Sequence, residues 1–216
     1  MPYVLPAPGG TLMRLKSWLL MHALLATGLV SGGVMAAPGK ASDETVYSQG
    51  PVGARYTITV FADLECPFCK HYLPELQNWV HSRADSKLVW QHLPLSMHEP
   101  AATREALIAE CAGWIGGNEA FWRTTALIFQ QTGGDGAGLK GQQLRIADAD
   151  RVEKCVASDR FLGKITKQIS AANDRGIRET PSVMVTDNIS SLSVILTGPA
   201  DENVLLSAID SLGAPE

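Results

Sequence analysis

Cys66 and Cys69 are the residues whose type and spacing most plainly offer chemistry. They enclose Pro67 and Phe68 at a place where a β-branched, aromatic run, Tyr56 to Ala62, gives way to a helical pattern. Pro67 suits the first helical turn, because its missing N–H would have no intrahelical partner there. Cys66 then sits at a helix N-terminus, where free N–H groups and the macrodipole favour an anion. A thiolate is such an anion. Thiol pKa values fall from about 8.5 towards 3.5–7.5 in such surroundings, which makes a nucleophile and a good leaving group at neutral pH. Cys69 falls one turn later, facing inward, where the two sulfurs can bond and separate without large motion.

Other uses of the pair fit less well. Zinc would need further ligands, and there is no second Cys-x-x-Cys and no histidine pair nearby, so no metal is expected. Haem attachment needs His after the second cysteine, and residue 70 is Lys. A purely structural disulfide would be oddly placed at an exposed strand–helix junction. No organic cofactor motif is present; the loop Thr132-Gly133-Gly134-Asp135-Gly136-Ala137-Gly138 lacks the Lys-Ser or Lys-Thr of a phosphate cradle and reads as a flexible connection.

The elements that must position the cysteines follow from periodicity. Tyr56–Ala62 predicts a buried strand, Pro67 to about Arg83 a helix, and Leu88–Leu93 a second strand. Residues 100–176 predict helices only, from about Ala101 to Trp114, Glu119 to Gln130, 149–157 and 160–174. Ser182–Thr186 and Leu192–Thr197 predict two more strands. Asp201 opens a last helix whose apolar face is Val204, Leu205, Ala208, Ile209 and Leu212. The order β-α-β, helical block, β-β, α implies an α/β class with the block as an insertion. At most a short strand is expected near Val46-Tyr47.

The N-terminus carries an export address. Arg14 and Lys16 precede the apolar run Trp18–Val30, and small residues reach Ala37. Residues 1–36 therefore read as a cleavable signal peptide, with Met13 a candidate start. The apolar run is shorter than the roughly 20 residues of a spanning helix, so no membrane span is expected after cleavage. Residues 37–54 form a leader and 55–213 the domain. The formal net charge of −4 over 216 residues leaves no basic footprint for nucleic acid.

The segment Val60-Phe61-Ala62-Asp63-Leu64-Glu65-Cys66-Pro67-Phe68-Cys69-Lys70 resembles the active-site segment of exported DsbA/DsbC/DsbG-type proteins of the thioredoxin fold. Thr180-Pro181, ahead of a strand, resembles that family's cis-proline loop, and the helical block between them is also family-like. The resemblance implies a thioredoxin fold with a helical insertion at about 100–176, between the βαβ and ββα halves. It implies that Cys66 and Cys69 form a redox-active disulfide, with Cys66 as the attacking or attacked sulfur and Cys69 resolving the mixed disulfide. The Thr180-Pro181 backbone would steady a partner peptide. Partners would be cysteine-containing protein substrates and a membrane or soluble redox partner in the periplasm.

Two positions depart from the family pattern. Val60 stands where thioredoxin and DsbA place a buried acid, and Glu179 where Gly often precedes Thr-Pro. Asp63 or Glu65 could assist proton transfer, although exposed acids at a strand end are the plainer reading. His98 reads as a polar turn residue, and Trp79, Trp90, Trp114 and Trp122 as core.

Cys111 and Cys155 lie on apolar helical faces. They read either as two buried free thiols or, since exported chains rarely keep thiols free, as a structural disulfide, the reading preferred here. The direction of exchange favours a dithiol oxidase. Phe68 offers the Cys66 thiolate no donor, which implies a weaker oxidant, and Thr180-Pro181 resembles the isomerase-like branch. Residues 37–54 are nevertheless too short for a dimerisation domain, so a monomeric oxidase of moderate strength is expected. A reductase or isomerase is the alternative, and a binding module or holdase with idle cysteines is the alternative of another class.

Overall fold

The computed structural model describes residues 42–139 and 144–213. The signal peptide, Met13 and the start of the leader lie outside the described residues.

A five-stranded mixed sheet runs in the order β1-β3-β2-β4-β5. Its strands are β1 (Ser48–Gln49), β2 (Tyr56–Ala62), β3 (Ser86–His92), β4 (Ser182–Asp187) and β5 (Ser193–Thr197). β2 is parallel to β3 and antiparallel to β4, and so is enclosed on both edges. This explains its near-continuous burial from Tyr56 to Ala62, broken only at Thr57. The helices are α1 (Pro67–His81), α2 (Ala101–Gln131), α3 (Ala149–Val156), α4 (Leu162–Asp174) and α5 (Glu202–Gly213). α1 lies against β3 and β1, α5 against β4 and β5, and α4 against β3, while α2 packs on α3 and α4. The expected α/β order, with a helical block between the two halves of the sheet, is the one observed.

The differences are local. The short strand pairs at Ser48–Gln49 and not at Val46-Tyr47, because Tyr47 turns inward. Its ring stacks on Phe121 at 4.0 Å, in space that a side chain at Gly113 would fill. The two helices expected at 101–114 and 119–130 are one segment with a kink at Gly117, whose φ of 78° favours glycine. Val204 is 41% exposed; the buried face of α5 is Leu205, Ala208, Ile209 and Leu212. Burying each of its Leu or Ile side chains is worth roughly 1.5–3 kcal/mol. Asp201 begins α5 as expected, its Oδ1 accepting the Val204 N–H at 3.0 Å. Trp90 and Trp122 are buried, while Trp79 and Trp114 pack against the core only in part.

Cys111 on α2 and Cys155 on α3 are joined in a disulfide, with Cα atoms 5.9 Å apart. Both are buried. The bridge ties the long helix to the short one that follows the loop.

Candidate functional site

The site is assembled where β2 ends. Asp63 and Leu64 leave the sheet, and the Cys66 N–H bonds the Asp63 carbonyl at 3.1 Å, closing the turn into α1. Cys66 is the N-cap residue with extended backbone, Pro67 follows it, and no side chain caps the helix. The Cys66 sulfur lies near the free Phe68 and Cys69 N–H groups of the first turn, and both lower its pKa. Cys69 is 1% exposed and Cys66 only 4%. The junction is therefore covered, contrary to the exposed position expected, and Phe68, 66% exposed, projects beside it.

Thr180 covers Cys66. The peptide bond to Pro181 is cis, and the Thr180 carbonyl accepts the Cys66 thiol at 3.3 Å, across a sequence gap of 114 residues. That carbonyl favours the thiol, whereas the Thr180 hydroxyl favours the thiolate. The Cys69 thiol decides the balance: its hydrogen bond to the Cys66 sulfur is the largest influence and brings the Cys66 pKa down to about 6, against the opposing effect of burial. Burial pushes the Cys69 thiol well up, and the neighbouring Cys66 sulfur adds to this. Such a pair presents one thiolate and one thiol near neutral pH.

The acids before Cys66 are not the exposed pair expected. Asp63 and Glu65 are 1% and 0% exposed. The Asp63 carboxylate accepts the Glu65 N–H at 2.7 Å, the Leu95 N–H at 2.8 Å and His98 Nδ1 at 2.7 Å. Burial raises its pKa, while these donors oppose the rise. His98 lies in a short 3-10 turn, as a turn residue should, but its ring is buried on Asp63 and not free in solvent. Glu65 accepts the Thr132 hydroxyl and, at 2.8 Å, the Gly136 N–H. The glycine-rich loop is thus anchored to the turn that precedes Cys66, and is no loose connection. A side chain at Gly134 would crowd Glu65 and Pro67, with contacts of 3.3 Å. Glu105 on α2 is pushed up to about 9 by burial and then by Glu65, so it is a neutral acid at pH 7.

Glu105 and Thr132 were not singled out by sequence, although Glu105 left a signal. It lies on the buried face of α2 with Ala102, Ala106 and Ala109, where a carboxylate is out of place. A cleft of about 670 Å³ lies beyond the loop, lined by residues that include Glu105, Ile108, Leu144 and Val152, and contains neither cysteine. Among the described residues no group of His, Cys, Asp and Glu could hold a metal ion, and no helix is long and apolar enough to cross a membrane.

Residues 42–210 match the family model described as Thioredoxin. The chain belongs to the thioredoxin family. Within it, the structure is similar to Pseudomonas aeruginosa DsbA2, with a TM-score of 0.76 and 46% identity, covering 78% of this chain and 95% of that one. The thioredoxin-like oxidoreductase of Silicibacter pomeroyi DSS-3 shares the fold, with a TM-score of 0.62 and 21% identity over 77% of this chain and 91% of its own. Among curated relatives, the Na(+)/H(+) antiporter NhaA 1 of Salinispora arenicola (strain CNS-205) is 30% identical over 158 residues, 69% of this chain and 24% of the antiporter. The chain therefore spans about a quarter of the length of that relative. The thioredoxin-family fold here is that of the DsbA-type thiol–disulfide oxidoreductases.

The thiol asymmetry is measurable. At pH 6 Cys66 should be about half ionised, whereas an ordinary thiol of pKa about 8.5 is ionised well below one per cent. Iodoacetamide should then label Cys66 faster than Cys69 by on the order of a hundredfold, with thiolate absorbance rising around pH 6. Equal labelling of both thiols would contradict the geometry.

Stability should follow. The folded Cys66 pKa lies below its unfolded value, so its contribution is complete above about pH 9 and is lost as pH falls through 6. The oxidised protein lacks this group, while Asp63 and Glu105 are common to both forms. Reduced protein is expected to gain stability relative to oxidised protein from pH 6 to about 8, as denaturant midpoints would register; above that, ionisation of Cys69 in the unfolded chain alone opposes the gain.

Proposed function

We propose that the chain is an exported dithiol oxidase that passes the Cys66–Cys69 disulfide to protein substrates in the periplasm. The observation that carries this reading is the Cys66 sulfur at an uncapped helix N-terminus, with its pKa lowered to about 6 beside a buried Cys69. In the oxidised enzyme, a client thiolate attacks the Cys66 sulfur. The Cys66–Cys69 bond breaks, and Cys69 leaves and takes up a proton. A second client thiolate then attacks the client sulfur of the mixed disulfide and expels Cys66 as a thiolate. The client loses two electrons and the enzyme gains them. A low leaving-group pKa speeds the last step and favours the reduced enzyme, which is what makes a disulfide oxidising. A separate redox partner must then withdraw the electrons.

Thr180 and Pro181 would hold the client chain over Cys66, with exposed Phe68 as an apolar contact. Glu105, buried behind the turn with neither carboxyl oxygen hydrogen-bonded and its pKa pushed up to about 9 by burial and then by Glu65, would supply a proton in place of the acid absent at Val60. Residues 1–36 serve as the signal peptide, and no cofactor is required.

The direction is tested with ribonuclease. Oxidised protein is expected to restore activity to reduced ribonuclease, and to act poorly on the scrambled enzyme. Efficient unscrambling with little oxidation would assign isomerase activity instead. No turnover on either substrate would leave a binding module with idle cysteines.

A further inference from the structure

The last strand of the sheet has a free outer edge. β5 is terminal in the sheet, and among the described residues only β4 pairs with it. The alternation of its hydrogen bonds can be worked out. The Asp187 N–H bonds the Leu192 carbonyl at 3.0 Å, and the Gly198 N–H bonds the Pro181 carbonyl at 3.0 Å. Leu192, Val194, Leu196 and Gly198 therefore direct their backbone groups to β4, in the register that pairs Val194 with Val185 and Leu196 with Val183. Ser193, Ile195 and Thr197 direct theirs outward.

The side chains along this edge carry no charge. Ile195 is 41% exposed, Leu192 just before the strand is 54% exposed, and Val204 on α5 is 41% exposed. The groove between β5 and α5 is lined by Val194, Leu196, Asn203, Val204, Ser207 and Ala208. Sheet edges in natural proteins are commonly guarded by Lys, Pro or an inward charge, and Ser193-Val194-Ile195-Leu196-Thr197 has none.

The geometry points to a second copy of this chain as the occupant, paired antiparallel along β5 about a two-fold axis at Ile195. The strand is complementary to itself in that register. Ile195 meets Ile195 of the second copy, Ser193 meets Thr197, and Val194 meets Leu196. Hydroxyl thus faces hydroxyl and apolar faces apolar, with no like charges opposed. The outward backbone groups also match. Residues directly opposite in a hydrogen-bonded pair exchange both N–H···O bonds, and the pairs at Ile195 and at Ser193/Thr197 are of that kind.

The expectation of a monomer rests on the short leader, and an edge contact requires no dimerisation domain. It also keeps the two active sites apart. β5 runs with β2, so Thr197 lies at the Cys66 end of the sheet, as the bond from Gly198 to Pro181 shows. Antiparallel pairing sets that end against the opposite end of the partner, so the sites share no cleft. The contact is independent of what Cys66 does.

Sedimentation equilibrium of the mature chain and of Ile195→Lys, from micromolar to submillimolar concentration, tests the pairing alongside amide exchange at Ile195. A strand of this length makes a small contact, so the dimer should form with rising concentration. The wild-type mass should rise from one chain to two, and Ile195→Lys should hold it at one by placing ammonium groups opposite each other. The Ile195 amide should exchange slowly only where the dimer forms. That measurement uses the unaltered chain, and so decides even if the variant folds poorly. A single-chain mass throughout, or a dimer in which the Ile195 amide still exchanges freely, would overturn the proposal. Protection that appears only on adding an extended client peptide, at single-chain mass, would overturn it in favour of a client strand.

Discussion

Replacing Cys66 by Ser is expected to abolish disulfide exchange, while replacing Cys69 by Ser is expected to leave exchange half finished. The two cysteines differ in what surrounds them. The Cys66 pKa is lowered to about 6, chiefly by the Cys69 thiol, and its sulfur lies 3.3 Å from the Thr180 carbonyl, whereas Cys69 is 1% exposed and pushed well up by burial. Without Cys66 the buried thiol has neither the access nor the ionisation to attack, and turnover should fall to the uncatalysed rate. Without Cys69 the Cys66 thiolate can still enter a mixed disulfide with an oxidised client, but no resolving thiol lies beside it. Non-reducing electrophoresis of cells that express this variant should then show bands heavier than the chain that collapse on reduction. If Cys66→Ser formed such adducts and Cys69→Ser turned over normally, the roles would be reversed. Retained turnover in both would remove the site altogether.

Breaking the second cysteine pair should cost stability and leave the chemistry alone. Cys111 and Cys155 are 44 residues apart, and the chain-entropy account gives about 4 kcal/mol for closing a loop of that length. The double variant Cys111→Ala, Cys155→Ala avoids leaving one thiol to scramble with Cys66. Its denaturant midpoint is expected to fall by the equivalent of about 2–4 kcal/mol, since a structured unfolded chain reduces the gain. Alkylation of Cys66 at pH 6 should keep its wild-type rate in protein that remains folded. An unchanged midpoint would show that the bridge contributes nothing, and a changed Cys66 rate would couple it to the active site.

The amino-acid sequence by itself determined the features that depend on near neighbours. A proline one residue into a helix, a cysteine before it and another a turn later specify a helix N-terminus with two sulfurs, because 3.6-residue periodicity makes that geometry local. The same holds for the buried strand Tyr56–Ala62 and for the Asp201 cap of α5. Helical patterning was also enough to place Cys111 and Cys155 on apolar faces, but not to show that those faces meet.

Tertiary structure decided the surroundings of the sulfurs. Asp63 and Glu65 stand just beyond a strand, where alternation no longer separates inside from outside. Whether they are solvated depends on Leu95, His98, Thr132 and Gly136, which lie 32 to 71 residues away. The Gly-rich loop has the composition of a free linker, and it is held because its backbone N–H at Gly136 finds a buried carboxylate. The Cys66 sulfur is covered by Thr180, 114 residues further along the chain, whose carbonyl accepts its thiol. Burial and hydrogen bonding set these charges, and both are properties of the packed chain that no local pattern encodes. The free edge of β5 is of the same kind: its residues read as a strand, but only the sheet order shows that, among the described residues, one side of it has no partner.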